Sequence, residues 1–165
     1  STKLQVAMGL ETVDPSVLPR LNKKMTLDDY ERATSFLLQH GLDVRAFILL
    51  RTPYQSEEEG RHWAMHSIDF AFSIGVECCA IIPVRAGNGI MEKLARDGRF
   101  SPPSIRSLEV VHEYGLTLER GRVFVDLWDA ERICDCPQCG PRRVERLRRM
   151  NLSQTVCEPV HCSCG

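Results

Sequence analysis

Val44-Arg45-Ala46-Phe47-Ile48-Leu49-Leu50 decides the fold. The run is too short for a helix and too continuously apolar for a strand wetted on one face. It therefore reads as a strand of a parallel sheet covered on both sides, turned by Thr52-Pro53. Before it, Leu27–Gln39 places Tyr30, Ala33, Phe36 and Leu37 on one helical face. Thr26 is its N-cap, Asp29 makes an imperfect capping box, and Gly41 ends it. Earlier still, Leu4–Glu11 is an apolar run closed by a charge, the pattern of a buried strand, and Asp14-Pro15 opens a short helix to about Leu21. After it, Ser56 and the acids Glu57–Glu59 start a helix that runs to about Ser73 and stops at Gly75. Glu77–Pro83 and Arg122–Leu127 read as further strands, with helices at Gly89–Arg96 and Pro103–Tyr114 between them. Such alternation argues an α/β architecture with a parallel sheet, either a barrel or doubly wound. Four strands fall short of the eight that close a TIM barrel. A part-barrel leaves a strand edge open, so the chain is expected to be the second half of a larger barrel. Alone, it is expected to self-associate through that edge.

Composition bounds the remaining classes. The 165 residues are 43% hydrophobic and 26% charged, which excludes a disordered chain. Lys and Arg number 21 against 22 Asp and Glu, so a globally basic nucleic-acid binder is excluded, though a local basic patch is not. No apolar run approaches the roughly 20 residues that span a bilayer, and no signal-peptide pattern follows Ser1, so a cytoplasmic location without membrane contact is expected. The missing initiator Met fits either its removal or a start within a longer protein.

Of the 8 cysteines, six crowd the last 32 positions: Cys134, Cys136, Cys139, Cys157, Cys162 and Cys164. Composition shifts at about Ile133, which divides the chain into a body, 1–132, and a Cys-rich tail, 133–165. Clustering at one end, after an ordinary α/β body, favours metal ligation in a reducing compartment over a disulfide scaffold. Cys136-Pro137-Gln138-Cys139-Gly140 is a C-x-x-C knuckle whose sulfurs can share one tetrahedral ion. Cys162-Ser163-Cys164 is the second pair, and a helix over Arg142–Met150 can fold back to join them. The expected set is Cys136, Cys139, Cys162 and Cys164 on one structural zinc. The same soft donors suit an iron–sulfur cluster, and Cys134, Cys157 and His161 are spare ligands of like chemistry. Without a metal the group is a cluster of reduced thiols. Cys78 and Cys79, in a buried strand, read as small apolar side chains, with a thiol enzyme as the sharper alternative.

Three weaker signals carry bland readings beside their functional ones. His62 and His66 have the i, i+4 spacing of a metal pair, but His62-Trp63-Ala64-Met65-His66 lacks the glutamate of zinc protease chemistry. Arg142, Arg143, Arg146, Arg148 and Arg149 make a basic helix that either contacts RNA phosphates or is a solvated face paired with Glu145. No aromatic residue interleaves it to stack bases. The loop Arg85–Gly89 lies between strand and helix, where α/β proteins bind ligands, yet it is neither a G-x-G-x-x-G nor a P-loop.

Met8-Gly9-Leu10-Glu11 through Leu21-Asn22-Lys23 to Met25-Thr26-Leu27-Asp28-Asp29-Tyr30 resembles a segment of radical S-adenosylmethionine enzymes. It is most similar to the branch of the elongator catalytic subunit and archaeal Fe–S oxidoreductases related to tRNA modification. It is also similar to oxygen-independent coproporphyrinogen oxidase. There a strand ending in G-[VIL]-[EQ] precedes L-[GN]-[RK] and a Thr-started helix. Here those pieces are Gly9-Leu10-Glu11, Leu21-Asn22-Lys23 and Thr26, followed by Val44–Pro53 with Glu57–Glu59. The tail from Cys136 to Gln154 looks like the end of such oxidoreductases. The resemblance implies a fragment of a (βα)6 part-barrel, its fourth to sixth strands plus a tail. It implies Glu11 at the ribose of S-adenosylmethionine and Lys23 at its carboxylate. The family's C-x3-C-x2-C motif for the 4Fe–4S cluster is absent, since Cys134-x-Cys136-x2-Cys139 is too short and at the wrong end. The chain alone is thus expected to be inactive, with catalysis in a missing N-terminal half and RNA a candidate partner. The rival expectation is a non-catalytic zinc-knuckle module that binds RNA or protein.

Overall fold

The computed structural model describes residues 3–87, 89–134 and 136–164. Asn88 of the loop after the third strand and Gly165 after Cys164 lie outside them. The elements are β1 (Gln5–Glu11), α1 (Leu27–Gln39), β2 (Asp43–Leu50), α2 (Glu57–Ser73), β3 (Cys78–Pro83), α3 (Ile90–Arg96), α4 (Ile105–Thr117), β4 (Arg122–Val125) and α5 (Gly140–Ser153). The strands form one parallel sheet in the order β1-β2-β3-β4. Right-handed crossovers in unbroken strand order carry the packed helices to the same face. Val44, Ala46, Ile48 and Leu50 of β2 are fully buried there, in one core with Tyr30, Ile68, Leu108, Val111 and Leu147.

The other face departs from expectation. Arg45, Phe47 and Leu49 are only partly covered, so β2 alternates in burial although its sequence does not. Register places Gly9, Phe47, Ala80 and Phe124 side by side across this helix-free face. The sheet is therefore covered fully on one side, and its second side is a half-open surface of the kind that lines a barrel.

Local signals explain most boundaries. Thr26 and Ser56 each complete a capping box, with Asp29 and Glu59 returning to the cap's own N–H. Aspartate is one methylene short of glutamate yet still reaches Thr26 N at 3.0 Å. On α1, Thr34 is buried, and Phe36 is 59% exposed against the His40 ring instead of in the core. The segment after Asp14 is a turn and a single 3-10 turn, Leu18–Leu21, in place of the expected helix. Pro19 has no N–H for the carbonyl of Pro15, which a helix would require.

The outer edge of β4 is closed by side chains. Gln154 accepts from Val123 N at 2.9 Å and donates to Val123 O at 3.1 Å. Asn151 accepts from Val125 N and donates to Val125 O, both at 2.9 Å. Two carboxamides at the end of α5 thus take the hydrogen-bonding positions of a neighbouring strand at Val123 and Val125. On its other side β1 pairs with no strand among the described residues. Among the described residues no helix is long and apolar enough to cross a membrane.

Candidate metal centre and strand-end rim

The knuckle sits where the chain enters α5. Gly140 N donates to Cys136 O at 2.9 Å, and Arg143 N donates to Cys139 O at 2.9 Å, so the first helical turn holds both cysteines. A side chain at Gly140 would press on Cys134 Sγ at 3.0 Å, so glycine leaves room for that neighbouring thiol. The tail after Gln154 has no regular structure and lies along α4 and α5. Two buried arginines fix it. Arg146, 1% exposed, donates to the carbonyls of Cys157 (3.1 Å) and Glu158 (2.8 Å) and pairs with Glu109 and Glu113. Arg143 donates to Val160 O at 3.2 Å and pairs with Glu109.

These contacts bring the second cysteine pair onto the first. The sulfurs of Cys136, Cys139, Cys162 and Cys164 all lie within 4.8 Å of one another. Cys136 to Cys162 is 3.8 Å and Cys139 to Cys164 is 3.5 Å. A tetrahedral ion with metal–sulfur bonds of about 2.3 Å needs edges of about 3.8 Å. The four cysteines can therefore bind a metal, and their spacing suits a single ion better than a cubane cluster, whose irons hold their thiolates farther apart. All eight cysteines are free of disulfides.

Protons in the quartet are unevenly held. The Arg143 hydrogen bond draws the Cys139 thiol down to about 6. The backbone of Cys164, then its side chain, lowers Cys162. Crowding by Cys139 and Cys162 pushes Cys164 up to about 11. A divalent ion relieves that crowding by displacing the remaining protons. Cys134 is pushed up by burial and donates to Cys136 O at 3.5 Å, outside the group of four, as are Cys157 and His161.

The other sequence signals resolve as follows. The rings of His62 and His66 lie 4.3 Å apart, and no third ligating group joins them among the described residues. Cys78 and Cys79 are fully buried with their thiols pushed upward by desolvation, the state of inert thiols. The basic helix is neither fully solvated nor fully available to phosphates. Arg143 and Arg146 face inward, while Arg148 pairs with Glu145 on the surface.

The C-terminal ends of the strands form a second feature, a rim of ion pairs: Glu11–Lys23, Arg51–Glu57 and Arg85–Asp126. A register shift between Gly9 and Glu11 and a left-handed Glu11 (φ 65°) turn that carboxylate back over Gly9. Asn22 and Lys24, both left-handed, flank Lys23 as it meets Glu11 there. A side chain at Gly9 would collide with both Glu11 Oε1 and Lys23 Nζ. Glycine thus leaves room for the pair in this position; a larger residue would push both side-chain ends aside. Asp126 holds Arg85 at 2.8 Å and the backbone N–H of Trp128 at 2.9 Å, leaving that indole 74% exposed at the rim. Arg51 and Asp126 carry a sequence signal as the polar residues that directly follow apolar strands, whereas Trp128 has none.

No family model matches the chain. It is 20% identical, over 171 aligned positions, to an uncharacterized protein of Methanocaldococcus jannaschii, covering 98% of this chain and 47% of that protein. Over 109 positions it is 27% identical to archaeosine synthase subunit beta of Methanosarcina acetivorans, covering 63% of this chain and 30% of the relative. The chain thus spans half or less of the length of these curated relatives. Among solved structures it superimposes on Elp3 of Methanocaldococcus infernus, determined with N-terminal residues 1–46 deleted. The TM-score is 0.64 at 16% identity, over 93% of this chain and 37% of that one. At that identity the likeness shows the fold alone: a four-stranded parallel α/β sheet shared with part of the Elp3 chain, here followed by a cysteine cluster.

Proposed function

We propose that this chain is the C-terminal portion of a radical S-adenosylmethionine Fe–S oxidoreductase. Residues 1–132 complete its barrel, and 133–165 form a metal-bearing tail. The observation that carries the reading is the Glu11–Lys23 pair over Gly9, at the C-terminal end of a strand and on the open face of the sheet. That is where parallel α/β sheets bind ligands. The two groups match the polar ends of S-adenosylmethionine: a carboxylate accepts from the ribose hydroxyls, and an ammonium pairs with the amino-acid carboxylate. Bound beside a 4Fe–4S cluster held by the rest of the barrel, S-adenosylmethionine supplies radical chemistry. This chain's share is to hold and orient it. The helix-free face over Phe47, Ala80 and Phe124 would line the reaction chamber. In the tail we assign Cys136, Cys139, Cys162 and Cys164 to one zinc ion, as their near-tetrahedral spacing supports. Six thiols free of disulfides in that tail fit a reducing compartment such as the cytoplasm.

The test is cofactor affinity by equilibrium dialysis, with the chain joined to the segment that precedes it in its reading frame. Glu11→Ala and Lys23→Ala are expected to weaken S-adenosylmethionine binding at least tenfold each, with the sheet intact by circular dichroism. Unchanged affinity in both variants overturns the assignment.

A further inference from the structure

Four thiolates around a divalent ion carry a net charge of −2. Such a dianion is costly beside packed helices unless cations and N–H donors face it. The structure supplies both at two of the four sulfurs. Arg143 Nε, from α5, donates to Cys139 Sγ at 3.3 Å, and Arg106 Nη2, from α4, donates to Cys164 Sγ at 3.5 Å. Those two sulfurs are only 3.5 Å apart, against 3.8 Å for Cys136 and Cys162. The donors therefore sit on the closer of these two sulfur pairs, where thiolates would repel strongly.

Charge accounting agrees. Arg143, Arg146 and Glu109, each side chain under a tenth exposed, sum to +1. Arg106, which is exposed, adds a second guanidinium that solvent screens, so the buried charges offset part of the −2 and Arg106 a further share. Glu113, which meets Arg146 from outside, is 36% exposed and solvated. A cavity of about 310 Å³ is bordered by both guanidiniums and by the sulfur-bearing residues Cys134, Cys136, Cys139 and Cys164.

We propose that Arg143 and Arg106 are positioning residues of the metal centre, which orient the Cys139 and Cys164 thiolates and offset part of the tetrathiolate charge. Arg143 also grips Val160 O, so the residue that steadies the ion steadies the tail that brings Cys162 and Cys164 to it. The inference rests on the quartet binding a metal. Hydrogen bonds and charges outside the ligand shell typically govern metal affinity by about 10–100-fold.

The experiment is competitive titration of the metal-free 165-residue chain with Zn(II) and Co(II) against a chromophoric chelator, following the Co(II) thiolate charge-transfer and d–d bands. Arg106→Gln and Arg143→Gln are each expected to weaken both ions by about 10–100-fold and to shift the charge-transfer band, with Arg143→Lys recovering part of the loss. Arg106 is exposed, so Arg106→Gln keeps the test valid if Arg143→Gln does not fold. Its metal-free melting temperature should equal that of the parent chain. Arg106→Gln affinity and spectrum within about threefold of the parent overturn the inference for Arg106, and the same result for Arg143→Lys together with Arg143→Gln overturns it for Arg143. A parent chain that takes up neither ion refutes the metal centre itself, a different result from a parent that binds and variants that bind alike.

Discussion

Arg146→Ala should destabilise this protein far more than an arginine on a basic helix would suggest. The side chain is 1% exposed and sends donors to Glu109, Glu113 and the carbonyls of Cys157 and Glu158. Truncation removes the donor from the carbonyls of half-buried Cys157 and exposed Glu158, which water can partly replace, at about 0.5–1.5 kcal/mol each. It also leaves Glu109, 4% exposed, with Arg143 as its remaining ion-pair partner among the described residues. Breaking one side of a buried ionic network costs about 3–5 kcal/mol, and the shared origin of these terms keeps the total near that range. For a chain of this size that is a fall of roughly 10 °C in melting temperature. Urea denaturation followed by circular dichroism measures it, with exposed Arg149→Ala as the reference. A loss below about 1 kcal/mol refutes the reasoning and returns Arg146 to a free surface role. Arg146→Met with Glu109→Gln should restore much of the loss, because paired removal leaves less uncompensated charge.

Further outcomes follow from other contacts. Asn151→Leu with Gln154→Leu strips the cover from β4 and should make the chain associate with rising concentration in sedimentation velocity; a wild-type-like profile contradicts the edge-cap account. Burial holds His112 down to about 4, with Nε2–H donated to Val123 O and Nδ1 unpartnered. The unfolded chain binds this proton below about pH 6.5 and the folded chain does not until about pH 4, so stability falls as pH drops through that window, by about 3 kcal/mol in all. A His112→Leu variant should lose that slope in pH-dependent urea melts, while the acid losses from Asp14, Glu57 and Glu77, all held low, remain. Gly9→Ala should leave the sheet intact but displace Glu11 and Lys23, so that cofactor affinity in the joined protein drops at least tenfold; retained affinity counts against the placement of that pair.

The strands and helices were legible because each carries a local signature. Continuous apolar runs mark β2 and β3, and Thr26, Ser56 and Gly41 mark ends through their own side chains or backbone freedom. Coverage of the sheet was not legible, because Phe47 and Leu49 are as apolar as the residues on the packed face. The inward turn of Arg143 and Arg146 had a signal that was overlooked. They share the helical stripe of Val144, Leu147 and Met150, yet their partner Glu109 lies more than thirty residues away in sequence, where no spacing rule reaches. The cysteine quartet could be named because each pair is close in sequence. What joins the pairs, two arginines gripping an irregular tail, is tertiary. Glu11 and Lys23 could be named only through resemblance, and Gly9 explains why they can meet.

The most direct measurement is reductive cleavage of S-adenosylmethionine by this chain expressed with its upstream reading frame and loaded anaerobically with iron and sulfide. The account predicts a C-x3-C-x2-C triplet in that upstream segment and cleavage that falls at least tenfold in Glu11→Ala. An upstream segment without the triplet, or a loaded protein that neither binds nor cleaves S-adenosylmethionine, would contradict it.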